Sequence, residues 1–99
     1  AARNHGADMA CNSFFSHTGS DGSLPWDRVS ALGYSYLAIA ENIFAGSSNA
    51  QTAFTAWMNS PGHRDNMLNP TYTEIGIGYR FWADSPYGAY TTAVLANPR

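Results

Sequence analysis

Apolar residues fall at helical spacing most clearly over residues 50–58. Ala50, Ala53, Phe54, Trp57 and Met58 follow the i, i+3, i+4, i+7, i+8 order of one buried helix face. Ser48 or Asn49 is placed to cap that helix, and Pro61 to close it. A weaker stripe of Ala1, Ala2, His5, Met9 and Asn12 predicts a helix over residues 1–12. Trp26, Val29 and Leu32 share a face of a further helix, with Ser23 as N-cap near Pro25 and Gly33 at its end. Residues 62–68 predict a short last helix before Asn69-Pro70. The period then drops to two. Ile75, Ile77, Tyr79 and Phe81 alternate with Gly76, Gly78, Arg80 and Trp82, as in a half-buried strand. The paired glycines imply close approach of another element on their face. Residues 84–88 read as a hairpin loop, and residues 89–96 as a returning strand with Tyr90, Thr92 and Val94 on one face. Residues 34–44 are apolar but aperiodic, which predicts buried or semi-buried irregular chain. Helices first and a hairpin last make the class α+β, with helices packed on a small antiparallel sheet.

Composition narrows the picture. Ninety-nine residues suit one domain with a modest core. Charged residues are 12%, about half the usual share, and the net charge of -2 leaves no basic footprint for nucleic acid. No apolar run is long enough to span a membrane, and no signal peptide is visible. The start at Ala1-Ala2-Arg3, without Met, suggests a trimmed or mature fragment. Cys11 is alone, which excludes a disulfide framework; on an apolar helix face it reads as a small buried residue. Trp26, Trp57 and Trp82 each read as core.

The chemistry concentrates at corners. Ser60-Pro61-Gly62 turns the chain sharply and delivers His63. With His17 and Glu41 it makes the best candidate constellation, since each lies on irregular chain or at an element start. Two imidazoles and a carboxylate suit a borderline divalent metal such as zinc, with positions left for water. The same trio suits acid–base work. The competing reading is that each histidine only bonds neighbouring backbone. Glu41, between Ile39-Ala40 and Ile43-Phe44, must find a partner or shift its pKa upward. Glu74 reads as an exposed strand end, Arg64 and Asp65 as solvated helix charges, and His5 as core-edge or surface. No G-x-S-x-G elbow, H-E-x-x-H helix or G-x-G-x-x-G phosphate turn is present.

Four segments occur in order: Phe15-Ser16-His17-Thr18-Gly19, Ala40-Glu41-Asn42-Ile43, Trp57-Met58-Asn59-Ser60-Pro61-Gly62-His63-Arg64, and Glu74-Ile75-Gly76-Ile77-Gly78-Tyr79. Together they resemble the bacterial, SCP-like extracellular branch of the CAP superfamily (cysteine-rich secretory proteins, antigen 5, pathogenesis-related class 1). The resemblance covers nearly the whole chain as one domain, residues 1–99, lacking the family's first helix. It implies an α-β-α sandwich and an extracellular or cell-envelope location. It also implies a cleft lined by two histidines and two acids, where some members hold zinc or another divalent cation. His17, Glu41 and His63 match three positions. The second acid's position holds Ser60, with Glu74 the substitute from the strand. His17 and His63 are then the implied metal ligands.

Three functions compete. The first is a non-enzymatic domain binding a small ligand, a lipid or an extracellular protein. The second is a zinc-assisted hydrolase of peptide or cell-wall material, with Glu41 as general base. In the third, the cleft is structural, holding helix to strand.

Overall fold

A computed structural model describes residues 1–98. Four helices and three strands follow in the order α1 (Ala2–Cys11), α2 (Pro25–Ala31), β1 (Tyr36–Ala45), α3 (Ala50–Met58), α4 (Pro61–Leu68), β2 (Glu74–Phe81) and β3 (Ala89–Pro98). The sheet is antiparallel with order β1-β3-β2, so the last strand of the chain lies in the middle.

That central position explains β3. Tyr90 and Val94 pack toward α1 and α2, in clusters with Met9, Ala10 and Ile43 and with Ala2 and Val29. Ala93 and Leu95 pack oppositely, against Trp57 of α3, with Phe44, Met67 and Tyr72 alongside. Helices therefore cover both faces of the sheet, and the α-β-α sandwich holds. The shared face of Tyr90, Thr92 and Val94 matches the sequence reading.

Residues 36–45 correct an expectation. They form no irregular chain but a ten-residue strand, paired with β3 from Tyr36↔Pro98 to Ala45↔Tyr90. Alternation is missing because both faces of β1 meet helices, which removes the polar-out half of the pattern. Adjacent residues point to opposite layers. Glu41 meets side chains from the α1–α2 side, while Asn42 bonds His63 and Asn66 of α4.

On β2 the one buried residue is Gly78. Gly78 is buried under α1, and a Cβ there would lie 2.5 Å from the Arg3 amide nitrogen. Gly76 meets nothing within 4 Å, so the close approach expected of both glycines occurs at one. The opposite row, Ile75, Ile77, Tyr79 and Phe81, is 59%, 60%, 48% and 61% exposed.

Helix ends follow local chemistry. Asn49 caps α3, its side chain accepting from the Gln51 and Thr52 amides at 2.8 and 3.3 Å. Pro61 does not close α3; it opens α4 at the first helical position, where a missing N–H costs nothing. Leu24, not Ser23, is the α2 cap, and its amide donates to Asp27 Oδ2 at 3.0 Å. Of the three tryptophans only Trp57 is core, donating its indole N–H to the Ile43 carbonyl at 3.0 Å. Trp26 and Trp82 are exposed, as is Cys11, which faces solvent and not the α1 core.

Candidate functional site

Glu41 is the hub. Its side chain is 1% exposed, and both oxygens are engaged. His17 Nδ1–H donates to Oε1 at 2.9 Å, and Arg28 Nη2–H donates to Oε2 at 2.9 Å. Arg28 also ties the surrounding loop together, donating to the Ser23 carbonyl at 2.8 Å and the His17 carbonyl at 2.9 Å. The carboxylate thus meets its burial cost through an ion pair and charge-assisted hydrogen bonds.

His5 forms the floor. The sequence suggested an edge position, but its side chain is wholly buried, because α1 turns its His5–Met9 stripe onto the sheet. His5 Nε2–H donates to the Ser16 carbonyl at 2.7 Å, which anchors the residue next to His17. Its Nε2 also lies 3.8 Å from Glu41 Oε1. Burial lowers the His5 pKa against the pull of that carboxylate, so the ring is neutral near pH 7 and the contact is no ion pair. Its Nδ1 is buried without a hydrogen-bond partner among the described residues.

A second loop contact fixes the approach to His17. Asp8 accepts from the Ser20 amide at 2.9 Å, the Ser20 hydroxyl at 2.6 Å and Asn12 Nδ2 at 2.7 Å. Burial alone would raise the Asp8 pKa, but these bonds outweigh it and the net shift is downward.

His63 arrives from the opposite layer, around the free edge of β1. Its Nδ1 shares a hydrogen bond with Ser60 Oγ at 2.9 Å. Its carbonyl accepts from Asn42 Nδ2 at 3.1 Å, and Asn66 Nδ2 donates to Asn42 Oδ1 at 3.0 Å. Partial burial first, and then the charge of His17, lower the His63 pKa. The two imidazoles are therefore electrostatic neighbours, each held at Nδ1: His17 by Glu41, His63 by Ser60.

His17, Glu41, His63 and Ser60 thus come together. Glu74 does not. It pairs with Ala96 across β3, on the far side of the central strand from Glu41, and accepts the Tyr34 hydroxyl. His5 and Arg28 were missed as site residues. His5 had a usable signal: a histidine on a buried stripe needs a buried partner. Arg28 had none, since nothing in α2 marks it from a surface arginine.

Among the described residues, no group of three or more His, Cys, Asp or Glu side chains is arranged to hold a metal ion. The donor set does not fit a resident zinc centre, which takes at least three protein ligands. Glu41 is bound to Arg28 and His17, and a serine hydroxyl, Ser60 Oγ, stands against His63 where the resemblance implied a second acid.

The fold defines an SCP-type domain. The chain matches the CAP (Cysteine-rich secretory protein) family over residues 1–95, and it belongs to that family. It is 40% identical over 79 residues to the uncharacterized protein YkwD of Bacillus subtilis (strain 168), covering 80% of this chain and 31% of that protein. An extracellular SCP-domain protein from Bacillus anthracis str. Ames superposes with a TM-score of 0.79 at 32% identity, over 96% of this chain and 30% of that one. An outer surface protein of Borrelia burgdorferi shares the fold, with a TM-score of 0.83 at 19% identity, over 99% of this chain and 74% of that one. The chain thus spans under a third of the two Bacillus proteins.

Proposed function

We propose that this is an extracellular or surface-located, non-enzymatic binding domain. Its cleft at the β1 edge presents His17 and His63 to a small ligand, a lipid or a protein partner. One observation carries this reading. Both imidazoles are pinned at Nδ1, by Glu41 and by Ser60, which leaves the two Nε2 atoms as the contact points. The extracellular setting is supported by the descriptions of the Bacillus anthracis and Borrelia proteins.

The engagement of Glu41 disfavours the hydrolase. A general base must reach a water, but this carboxylate is buried behind His17 with Arg28 on its other oxygen. Glu41 acts instead as the group that orients an imidazole. A divalent cation would meet only two protein nitrogens here, so it would bind as an exchangeable ion completed by water or by the ligand.

Calorimetric zinc titration is the test. The expected result is weak binding, lost in both His17→Ala and His63→Ala, with no turnover of peptide or peptidoglycan libraries by zinc-loaded protein. Turnover that disappears in Glu41→Gln would establish the hydrolase instead. Tight zinc binding indifferent to both histidines would remove the cleft from the account.

A further inference from the structure

β1 is an edge strand, since the sheet runs β1-β3-β2 and β1 pairs with β3 alone. An antiparallel ladder turns the main-chain N–H and C=O of alternate residues toward the partner strand and those of the residues between them away. Two bonds fix the phase. The Gly46 N–H donates to the Ala89 carbonyl at 3.0 Å, so Phe44, Asn42 and Ala40, in step with Gly46, bond β3. The Ile43 carbonyl, out of step with them, accepts the Trp57 indole N–H from outside the ladder. Ile39 and Glu41 are in step with Ile43, and the register is regular from Ala38 onward. Their N–H and C=O groups therefore point off the free edge. No turn or loop main chain among the described residues bonds to them.

This stretch of edge runs through the cleft. The Glu41 side chain is 1% exposed and the residue as a whole 6%, so the part of Glu41 that meets solvent is main chain. His17 stands on one face of the strand, bonded to the Glu41 carboxylate. His63 stands on the other, its carbonyl bonded to Asn42. The start of α1 lies over β2 at Gly78, on the opposite edge strand. Ile39 and Glu41 are two residues apart, about 6.6 Å along a strand. A donor and an acceptor presented together at that repeat match another extended main chain, the recognition mode of strand addition. A lipid tail offers neither group.

We propose that the partner of the cleft is an extended polypeptide segment that adds to β1 as a further antiparallel strand, exchanging main-chain hydrogen bonds with Ile39 and Glu41. This deepens the cleft reading, on which it rests, by naming the class of ligand. Residues opposite one another across an antiparallel pair share a face. The partner side chain opposite Glu41 thus falls beside His17, and those flanking it fall on the His63 side.

Random heptapeptides displayed on phage and panned on the immobilised chain test it. Each selected peptide is resynthesised with a single N-methyl group at every position in turn. Binding should weaken roughly tenfold at alternate positions only, the effect of losing one ladder hydrogen bond. The bound peptide should slow amide hydrogen exchange at Ile39 and Glu41, and leave Ala40 and Asn42, already bonded to β3, unchanged. Three results would overturn the proposal: no peptide enriched above an unrelated protein, N-methyl effects without alternation, or new protection on β2 in place of Ile39 and Glu41. The histidine variants separate this outcome from that of the cleft. Peptide binding lost in His17→Ala and His63→Ala without alternation would keep the cleft and sink strand addition. Alternation and protection that neither variant weakens would support strand addition and remove the imidazoles as contacts.

Discussion

Arg28 holds two of its hydrogen bonds on loop carbonyls and one on Glu41, so its removal strands a buried carboxylate. Arg28→Ala should therefore cost about 3–5 kcal/mol in urea unfolding, the range for breaking one side of a buried pair. A buried neutral histidine makes the fold sensitive to acid. Burial holds the folded pKa of His5 below its ordinary value of 6.5, so the unfolded chain binds the proton more readily. His5 thus adds stability that is fully present above pH 6.5 and lost as pH falls toward the lowered folded value. The lowered pKa of His63 acts in the same direction. The melting temperature should fall on acidification from pH 7, and less steeply in His5→Gln, whose amide can still donate to the Ser16 carbonyl. An unchanged slope would show that His5 is not the titrating group. His17, Glu41 and His63 were legible because each sits in a distinctive segment of residues. His5 and Arg28 were not, because each matters only through a carboxylate distant in sequence.

The strands show what a local pattern can and cannot carry. Alternation located β2 correctly, yet its apolar row is exposed and the residue packed against α1 is Gly78 of the other row. Close backbone packing, not side-chain hydrophobicity, chose the covered face. The two glycines should consequently respond differently. Gly78→Ala would force its Cβ into the Arg3 and Ala2 backbone and should destabilise by about 1–3 kcal/mol. Gly76→Ala enters open space and should stay within about 0.5 kcal/mol of the parent. Equal effects in denaturant titrations would contradict the packing of α1 on β2. The strand β1 was illegible for a different reason. Helices on both faces leave it no polar rhythm, and its partner β3 lies about fifty residues later, a pairing no local window contains. The helices were more readable, because their capping and periodicity are local: Asn49 at α3 is one case.

At the scale of the whole molecule the two sides of the sheet are unequal. On the α3–α4 side, Leu95 of central β3 is buried beside Trp57, while Ile77 of edge strand β2 is 60% exposed. Leu95→Ala should cost about 2–5 kcal/mol, and Ile77→Thr about 0.5 kcal/mol or less, when unfolding is followed by circular dichroism. A large loss in Ile77→Thr would mean that this row is covered in solution. By itself the sequence determined the α+β class, the helix and hairpin positions, the CAP family and the histidine–glutamate trio. These rest on local periodicity, capping and ordered motifs. Only the tertiary structure decided that residues 36–45 are a strand, that Glu41 serves His17 and Arg28, and that Glu74 bonds Tyr34 away from the cleft. Those outcomes depend on strand order. With β3 between β1 and β2, the two carboxylates are separated by the central strand, and no feature local to either residue records that distance.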